Sequence, residues 1–244
     1  MSSLYFDETL ELRALGIGQV VELVGDEARH AVSVARVRAG ERLAIGDGRG
    51  TIVRGAVVSV APRELRLEID ELTVAERPAP AITLVQALAK GDRDELAVQA
   101  ATELGVDRIV PWAAARSVSR WEGPKAAKGR QRWTTIAREA AKQSIRPWIP
   151  EVDEVTTTAA LTERLQGARV LILEPSASTS LTALEVDDRD LALVVGPEGG
   201  IAPKELDTLG RSGAEAVRLG ASVLRTSTAG PAAIAVLSAA LGRW

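Results

Sequence analysis

Leu191 to Gly200 reads LALVVGPEGG, five apolar residues running straight into a Gly-Pro-Glu-Gly-Gly turn. An apolar run without alternation marks a strand buried on both faces, and a turn at its carboxyl end puts bare backbone where open α/β sheets bind ligands. Pro197 fixes φ and removes a donor. Gly199 and Gly200 permit positive φ and let a ligand lie against main-chain N–H and C=O groups. Glu198 adds the one charge, either as a proton acceptor or as a partner for backbone amides. Taken alone, such a turn is as well read as a plain tight turn, so its neighbours must decide.

Outward from this strand, the second part of the chain alternates strands and helices. Strands are expected at Ile82 to Ala87, Arg108 to Val110, Val170 to Leu173 and Ala216 to Leu219. Helices are expected over Asp92 to Leu104, from Pro124 to before Pro147, from Pro203, and over Thr228 to Leu241. In the first of these, Asp92 and Glu95 form a capping pair, Leu96, Ala100 and Leu104 make the inward stripe, and Gly105 is the stop. In the second, Trp133, Ile136, Ala137 and Ala140 face inward. Strand-helix alternation predicts a mainly parallel sheet covered by helices on both faces.

Three strands then end in loops of ligand-binding character: Leu173-Glu174-Pro175-Ser176, Gly196 to Gly200, and Leu219 to Thr226. Carboxyl ends of parallel strands share one edge, so these loops are expected to form one pocket, suited to an adenine or ribose held by main-chain hydrogen bonds. No GK[ST] and no GxGxxG after the first strand supports a nucleoside triphosphate or dinucleotide.

Residues 1–75 read differently, as short strands at Gln19 to Val24, Arg42 to Ile45, Thr51 to Val60 and Leu65 to Ile69, broken by Gly40 and the GDGRG turn at 46–50. That spacing predicts a small β-barrel or sandwich. ERPAPA at 76–81 is the expected linker, and 82–244 the second domain.

The 244 residues are 46% hydrophobic, without an apolar run long enough to cross a bilayer, and Met1 to Glu11 carries three acids and no basic signal-peptide region. With no cysteine and one histidine, disulfides and thiolate metal sites are excluded and a histidine-based metal centre is not expected. A cytoplasmic, metal-free protein is the expectation. Net charge hides an asymmetry. Arg108 to Trp148 holds ten Lys and Arg against Glu122 and Glu139, a net of +8, so with −3 overall the rest carries −11. The same window holds four of the five tryptophans, Trp112, Trp121, Trp133 and Trp148. Clustered cations with interleaved aromatics read as an RNA- or single-strand-binding surface, with Trp133 and Trp148 assigned to core.

KGDRDE (90–95), ATELGVDRIVP (101–111), ARSVSRW (115–121), REAAKQSIRPWIPEV (138–152), VVGPEGGIAPKE (194–205) and RLGASVLRTSTA (218–229) together resemble the ribosomal RNA small subunit methyltransferase E family. HAVSVARVRAGE (30–41) is similar to that family's HxxxVLRxxxGD signature. The resemblance spans nearly the whole chain. It implies a PUA-like β-barrel followed by a SPOUT-type α/β domain with a trefoil-knotted parallel sheet, and a homodimer with sites near the interface. Its reaction is S-adenosylmethionine-dependent methylation of N3 of a 16S rRNA uridine, with the assembled small ribosomal subunit as substrate. The alternatives are a SPOUT enzyme for another rRNA or tRNA position and a non-catalytic RNA-binding assembly factor. Two positions depart from the family pattern: Ser227 stands where many members carry a glutamate, and Ala100 where a lysine commonly stands.

On this resemblance the cofactor lies against Leu173, Glu174, Pro175, Gly196, Pro197, Glu198, Gly199, Gly200, Leu219, Gly220, Val223 and Leu224. Arg225 is the candidate for stabilising the uridine anion, its alternatives being a structural cap or a phosphate contact. Candidate RNA contacts are His30, Arg36, Arg38, Arg93, Arg116, Arg120, Lys142, Gln143 and Arg146, with the active site as the alternative for Arg93. The final apolar helix is expected to need dimer burial or knot packing to cover it.

Overall fold

The computed structural model describes residues 3–244, which divide into two compact units, one running up to 77 with 141–149 and one of 78–140 with 150–244. In the first unit, strands β1 (Leu4–Phe6), β2 (Val20–Val24), β3 (Arg42–Gly46), β4 (Thr51–Ala61) and β5 (Glu64–Val74) form one sheet in the order β1-β3-β4-β5-β2. All pairings are antiparallel except β1 on β3. Two register shifts in β4, at Arg54/Gly55 and Val57/Ser59, bend the long hairpin. Leu43, Ile45, Leu65, Leu67 and Ile69 alternate inward to pack on Leu12, Leu23 and Ala28, the last from a short helix α1 (Gly25–Arg29). Strand β1 lies outside the expected set, because three residues without a flanking turn signal carry no period.

Residues 141–149 belong to this first unit, not to the second domain that 82–244 was expected to form in one piece. The reason is apolar. Ala141, Ile145 and Ile149 close a cluster with Leu4, Phe6, Ala44 and Ile52. Trp148 Nε1 donates to Ala75 O at 3.1 Å, and Gly50 N donates to Pro147 O at 2.9 Å. Trp148 is half-buried, with the Arg77 guanidinium 4.6 Å above its ring.

The second unit is a six-stranded sheet of β6 (Ile82–Ala87), β7 (Arg108–Trp112), β8 (Glu151–Val152), β9 (Arg169–Leu173), β10 (Leu191–Val195) and β11 (Glu215–Val217), ordered β11-β9-β10-β6-β7-β8. Every pairing is parallel. Helices α2 (Arg93–Glu103), α3 (Pro124–Gln143), α4 (Thr158–Arg164), α5 (Pro203–Arg211) and α6 (Thr226–Ala240) connect or follow the strands. Side chains alternate between two cores. Ile82, Leu84, Leu191, Leu193 and Val195 pack with Val98, Trp133, Ala137 and Ile234, on the face of α2, α3 and α6. Val85, Ala87, Ala192 and Val194 pack with Leu161, Leu165 and Leu209, on the face of α4 and α5. This double coverage is why LALVV shows no alternation.

One helix reading is corrected. In α2 the buried positions are Asp94, Ala97, Val98, Ala101 and Thr102, while Leu96 is 56% exposed, so the inward stripe is rotated from the one expected. Helix α6 is covered within its own unit, with Gly230, Pro231, Ala233, Ile234 and Leu237 buried. Gly230 makes this possible, since a Cβ there would stand 2.8 Å from Leu84 Cδ1 and 3.3 Å from Val195 Cγ2. Trp133 is 1% exposed and meets Trp121 edge-on, ring centres 5.0 Å apart. Trp133→Ala is therefore expected to cost about 3–5 kcal/mol in chemical denaturation. A change below about 1 kcal/mol would show that the α3 face collapses around the gap.

Candidate functional site

Because β11, β9 and β10 are parallel neighbours, the loops after them meet on one edge. They line a cleft of about 420 Å³ formed by Leu173, Glu174 and Pro175, by Gly196, Pro197, Glu198, Gly200 and Ile201, and by Leu219 to Thr226. All the residues assigned to the cofactor from sequence line it except Gly199. That glycine faces the other way, where a Cβ would stand 3.4 Å from Arg116 Cβ. Its carbonyl accepts from Arg116 Nη1 at 2.9 Å, which ties the GPEGG turn to the loop 115–121. Gly200 and Gly220 take the left-handed backbone, at φ 71° and 74°. Arg93, read from sequence as an RNA or active-site residue, lines it as well, as do Val195, Ile201 and Ala229, which were not singled out; Ala221, Ser222 and Thr226 line it as members of the third expected loop.

The KGDR segment works on this cleft through an unusual turn. Gly91 and Asp92 are both left-handed, at φ 60° and 54°, so the Asp92 side chain makes no cap, contrary to the expected Asp92/Glu95 pair. Asp94 serves instead: its carboxylate accepts from Ala89 N at 3.0 Å and Glu95 N at 2.9 Å. Burial raises the Asp94 pKa against those hydrogen bonds. Glu95 pairs with Arg132. The turn so fixed presents Lys90 N and Arg93 to Glu198, whose Oε1 accepts from them at 3.1 and 2.7 Å.

Partial burial pushes the Glu198 pKa up, but the hydrogen bonds from its own backbone, from Arg93 and from Lys90 N–H outweigh it and hold the carboxyl below the usual range. A carboxylate held in this way is a poor proton acceptor at neutral pH. A depressed folded-state pKa gives stability that is present above the unfolded value and is lost as pH falls through the folded one. The stability gap between the unaltered chain and Glu198→Gln is therefore expected to be constant near neutrality and to shrink below the ordinary value of 4.5. A gap independent of pH in urea melts from pH 7 to 3 would sink this account.

Arg225 sits at the N-cap of α6, where its carbonyl accepts from Thr228 N at 2.8 Å and Ala229 N at 2.9 Å. The cap is thus made by backbone. The side chain is exposed, lines the cleft, and has no partner among the described residues. Among those residues no group of three or more His, Cys, Asp or Glu is placed to hold a metal ion, and no helix is long and apolar enough to cross a membrane.

The candidate RNA residues are spread over both units. In the first, His30, Arg36, Arg38 and Gln143 are exposed. His30 opens a π-helical turn, His30–Val34, and Arg36 just beyond it is left-handed at φ 59°. Lys142 is committed elsewhere: it is 12% exposed, 2.9 Å from Glu27 Oε2 and 5.0 Å above the Tyr5 ring. Arg146 is half-buried. In the second unit, Arg120 donates to Ala114 O and Ala115 O, at 3.0 and 3.2 Å, stiffening the loop that carries Arg116. Lys125 and Lys128 are exposed at the start of α3, without side-chain partners among the described residues.

Residues 75–238 match the RNA methyltransferase domain family and 23–70 match the RNA methyltransferase PUA domain family. A parallel α/β unit with a strand-end cleft and a separate small β unit of PUA type define the class as an RNA methyltransferase. The chain is 43% identical over 233 residues to the ribosomal RNA small subunit methyltransferase E of Mycobacterium bovis, covering 93% of this chain and 89% of that one. It is 32% identical to that of Bacillus subtilis, covering 88% of each. The chain belongs to the ribosomal RNA small subunit methyltransferase E family. The crystal structure of the Neisseria gonorrhoeae member, bound to S-adenosyl methionine, matches with a TM-score of 0.87 at 29% identity over 98% of both chains. The fold expected from sequence, a PUA-like β unit before a SPOUT-type parallel sheet, is the fold found.

Proposed function

We propose that this chain transfers a methyl group from S-adenosylmethionine to N3 of a uridine in 16S rRNA. It would act in the cytoplasm on the assembled small ribosomal subunit and as a homodimer with the SPOUT knot. The observation that carries this reading is the cleft where three loops converge. Its volume of about 420 Å³ suits a cofactor-sized ligand. At Gly220 nothing lies within 4 Å of where a Cβ would stand, so a ligand can reach the backbone.

S-adenosylmethionine would supply an electrophilic methyl on a sulfonium and leave as the thioether S-adenosylhomocysteine, and N3 must first lose its proton to solvent water. Glu198, held as an anion by Arg93 and Lys90 N–H, orients the turn rather than taking that proton. Arg225 brings a free cation to the cleft, which favours the uridine anion and lowers the cost of losing the proton at neutral pH. The loops supply proximity and orientation. Arg36, Arg38 and His30 in one unit, and Arg116 and Arg120 in the other, would hold the RNA, with Lys125 and Lys128 as further phosphate contacts. Lys142 would act there by bracing Glu27 and Tyr5. The half-exposed or exposed flank of α6, Ala232, Ala235, Val236 and Ala239, is the surface left for a second copy.

Purified protein should transfer label from tritiated S-adenosylmethionine to small subunits lacking the modification, and leave a primer-extension stop in 16S rRNA, since N3 methylation blocks pairing. Label in tRNA or at another rRNA position would replace the site assignment. Binding to RNA without transfer would favour an assembly factor. Light scattering at about twice the chain mass supports the dimer, and a monomer removes it.

A further inference from the structure

We propose that Gln86 is a positioning residue for the cleft, acting through the Thr226 hydroxyl on the Gly196 carbonyl. The inference rests on reading the cleft as the methyl-donor site. Gln86 is the fifth residue of β6, 0% exposed in a strand otherwise made of apolar residues and Thr83. Its register partner is Val195, the residue before the GPEGG turn. Its Nε2 donates to Thr226 Oγ1 at 2.9 Å, and Thr226 Oγ1 donates to Gly196 O at 2.8 Å. Thr226 ends the loop after β11 and opens α6, and is itself 7% exposed. One hydroxyl therefore joins two of the three cofactor loops to the middle of the sheet.

The polarity of the chain of bonds is determined. A carbonyl only accepts, so the single hydroxyl proton of Thr226 is committed to Gly196, and the hydroxyl can then only accept from its other neighbour. Position 86 must supply a donor, which glutamine does and a glutamate or leucine of similar size does not. Gln86 Oε1 is buried without a hydrogen-bond partner among the described residues. An apolar residue would avoid that cost; the donor that Thr226 needs explains why an amide stands here. The bond beyond Gly196 O is to Pro197, which has no N–H of its own to anchor the turn. With the carbonyl released, the turn keeps its bonds from Gly200 N to Pro197 O and from Arg116 to Gly199 O but loses its tie to Thr226 and Gln86, and Glu198 shifts from its place opposite Lys90 N and Arg93.

The test is calorimetric titration of S-adenosylmethionine into the full chain at 20 °C, with thermal midpoints and hydrogen exchange of 196–201 measured in parallel. Thr226→Val, isosteric but without the hydroxyl, is expected to weaken binding about tenfold and to speed exchange in the turn. Thr226→Ser, which keeps the hydroxyl, is expected to stay within about twofold of the unaltered chain. Gln86→Met, which keeps length and loses the donor, is expected to weaken binding by about fivefold. A folded Thr226→Val that binds as the unaltered chain does overturns the proposal even if its midpoint has fallen. Should that variant not fold, unchanged affinity in Gln86→Met overturns it equally. An unaltered chain that binds no S-adenosylmethionine overturns the cofactor reading, and the proposal with it.

Discussion

Valine in place of Gly220 is expected to abolish measurable S-adenosylmethionine binding in a chain that still folds. Gly220 lines the cleft at φ 74° with nothing within 4 Å of where a Cβ would stand. A branched side chain would fill that open space, and it would have to hold a backbone conformation that valine strongly disfavours. The strain is on the order of 1–3 kcal/mol, tolerable for a loop residue, whereas the lost volume and the shifted loop remove ligand contacts together. A drop of more than about 100-fold, roughly 2.8 kcal/mol, is expected. Gly199→Ala is the control. Its new methyl would meet Arg116 Cβ at 3.4 Å, away from the cleft, so affinity should hold within about threefold. Tight binding by a folded Gly220→Val would move the cofactor out of these loops.

Arg225→Ala is expected to lower the methyl-transfer rate about 10²–10³-fold while leaving S-adenosylmethionine affinity nearly unchanged. The separation follows from the geometry: the helix cap is made by the Arg225 carbonyl, which alanine retains, and the guanidinium has no partner to abandon among the described residues. The pH profile decides between roles. A cation beside N3 favours its deprotonated form, so removing it should push the alkaline rise in single-turnover rate to higher pH. Arg225→Lys should recover part of the rate. An unshifted profile with weaker RNA binding would make Arg225 a phosphate contact instead.

The cleft was legible because its signals are local. LALVV carries its double burial in its composition, and each of the three loops follows a strand of the same parallel sheet. Orientation within the loops was not legible: Gly199 and Gly220 look alike as letters, and only the Arg116 loop packing on one side of the turn separates them. Asp92 misled because aspartate before a helix usually caps it, whereas here two successive left-handed residues turn its side chain away and Asp94 takes the task. The α2 stripe failed for a related reason: Leu96, the largest apolar residue of that helix, lies outward, and small Ala97 and Ala101 face the core. Thr226 stood inside a quoted motif without a role, since its partners Gln86 and Gly196 are far away in sequence. The one signal for Gln86 was an amide in an otherwise strongly apolar strand.

The segment 141–149 bears on how the chain comes into being. The ribosome makes residues 1–77 first, yet the face formed by Leu4, Phe6, Ala44 and Ile52 is completed only by Ala141, Ile145 and Ile149. The first unit thus leaves the exit tunnel with an uncovered greasy flank, and a good part of the second must be translated before its missing piece arrives. Nascent chains arrested between the two should leave that flank of the first unit open to proteases, and chains long enough to include 149 should protect it, so that the first unit made is not the first completed.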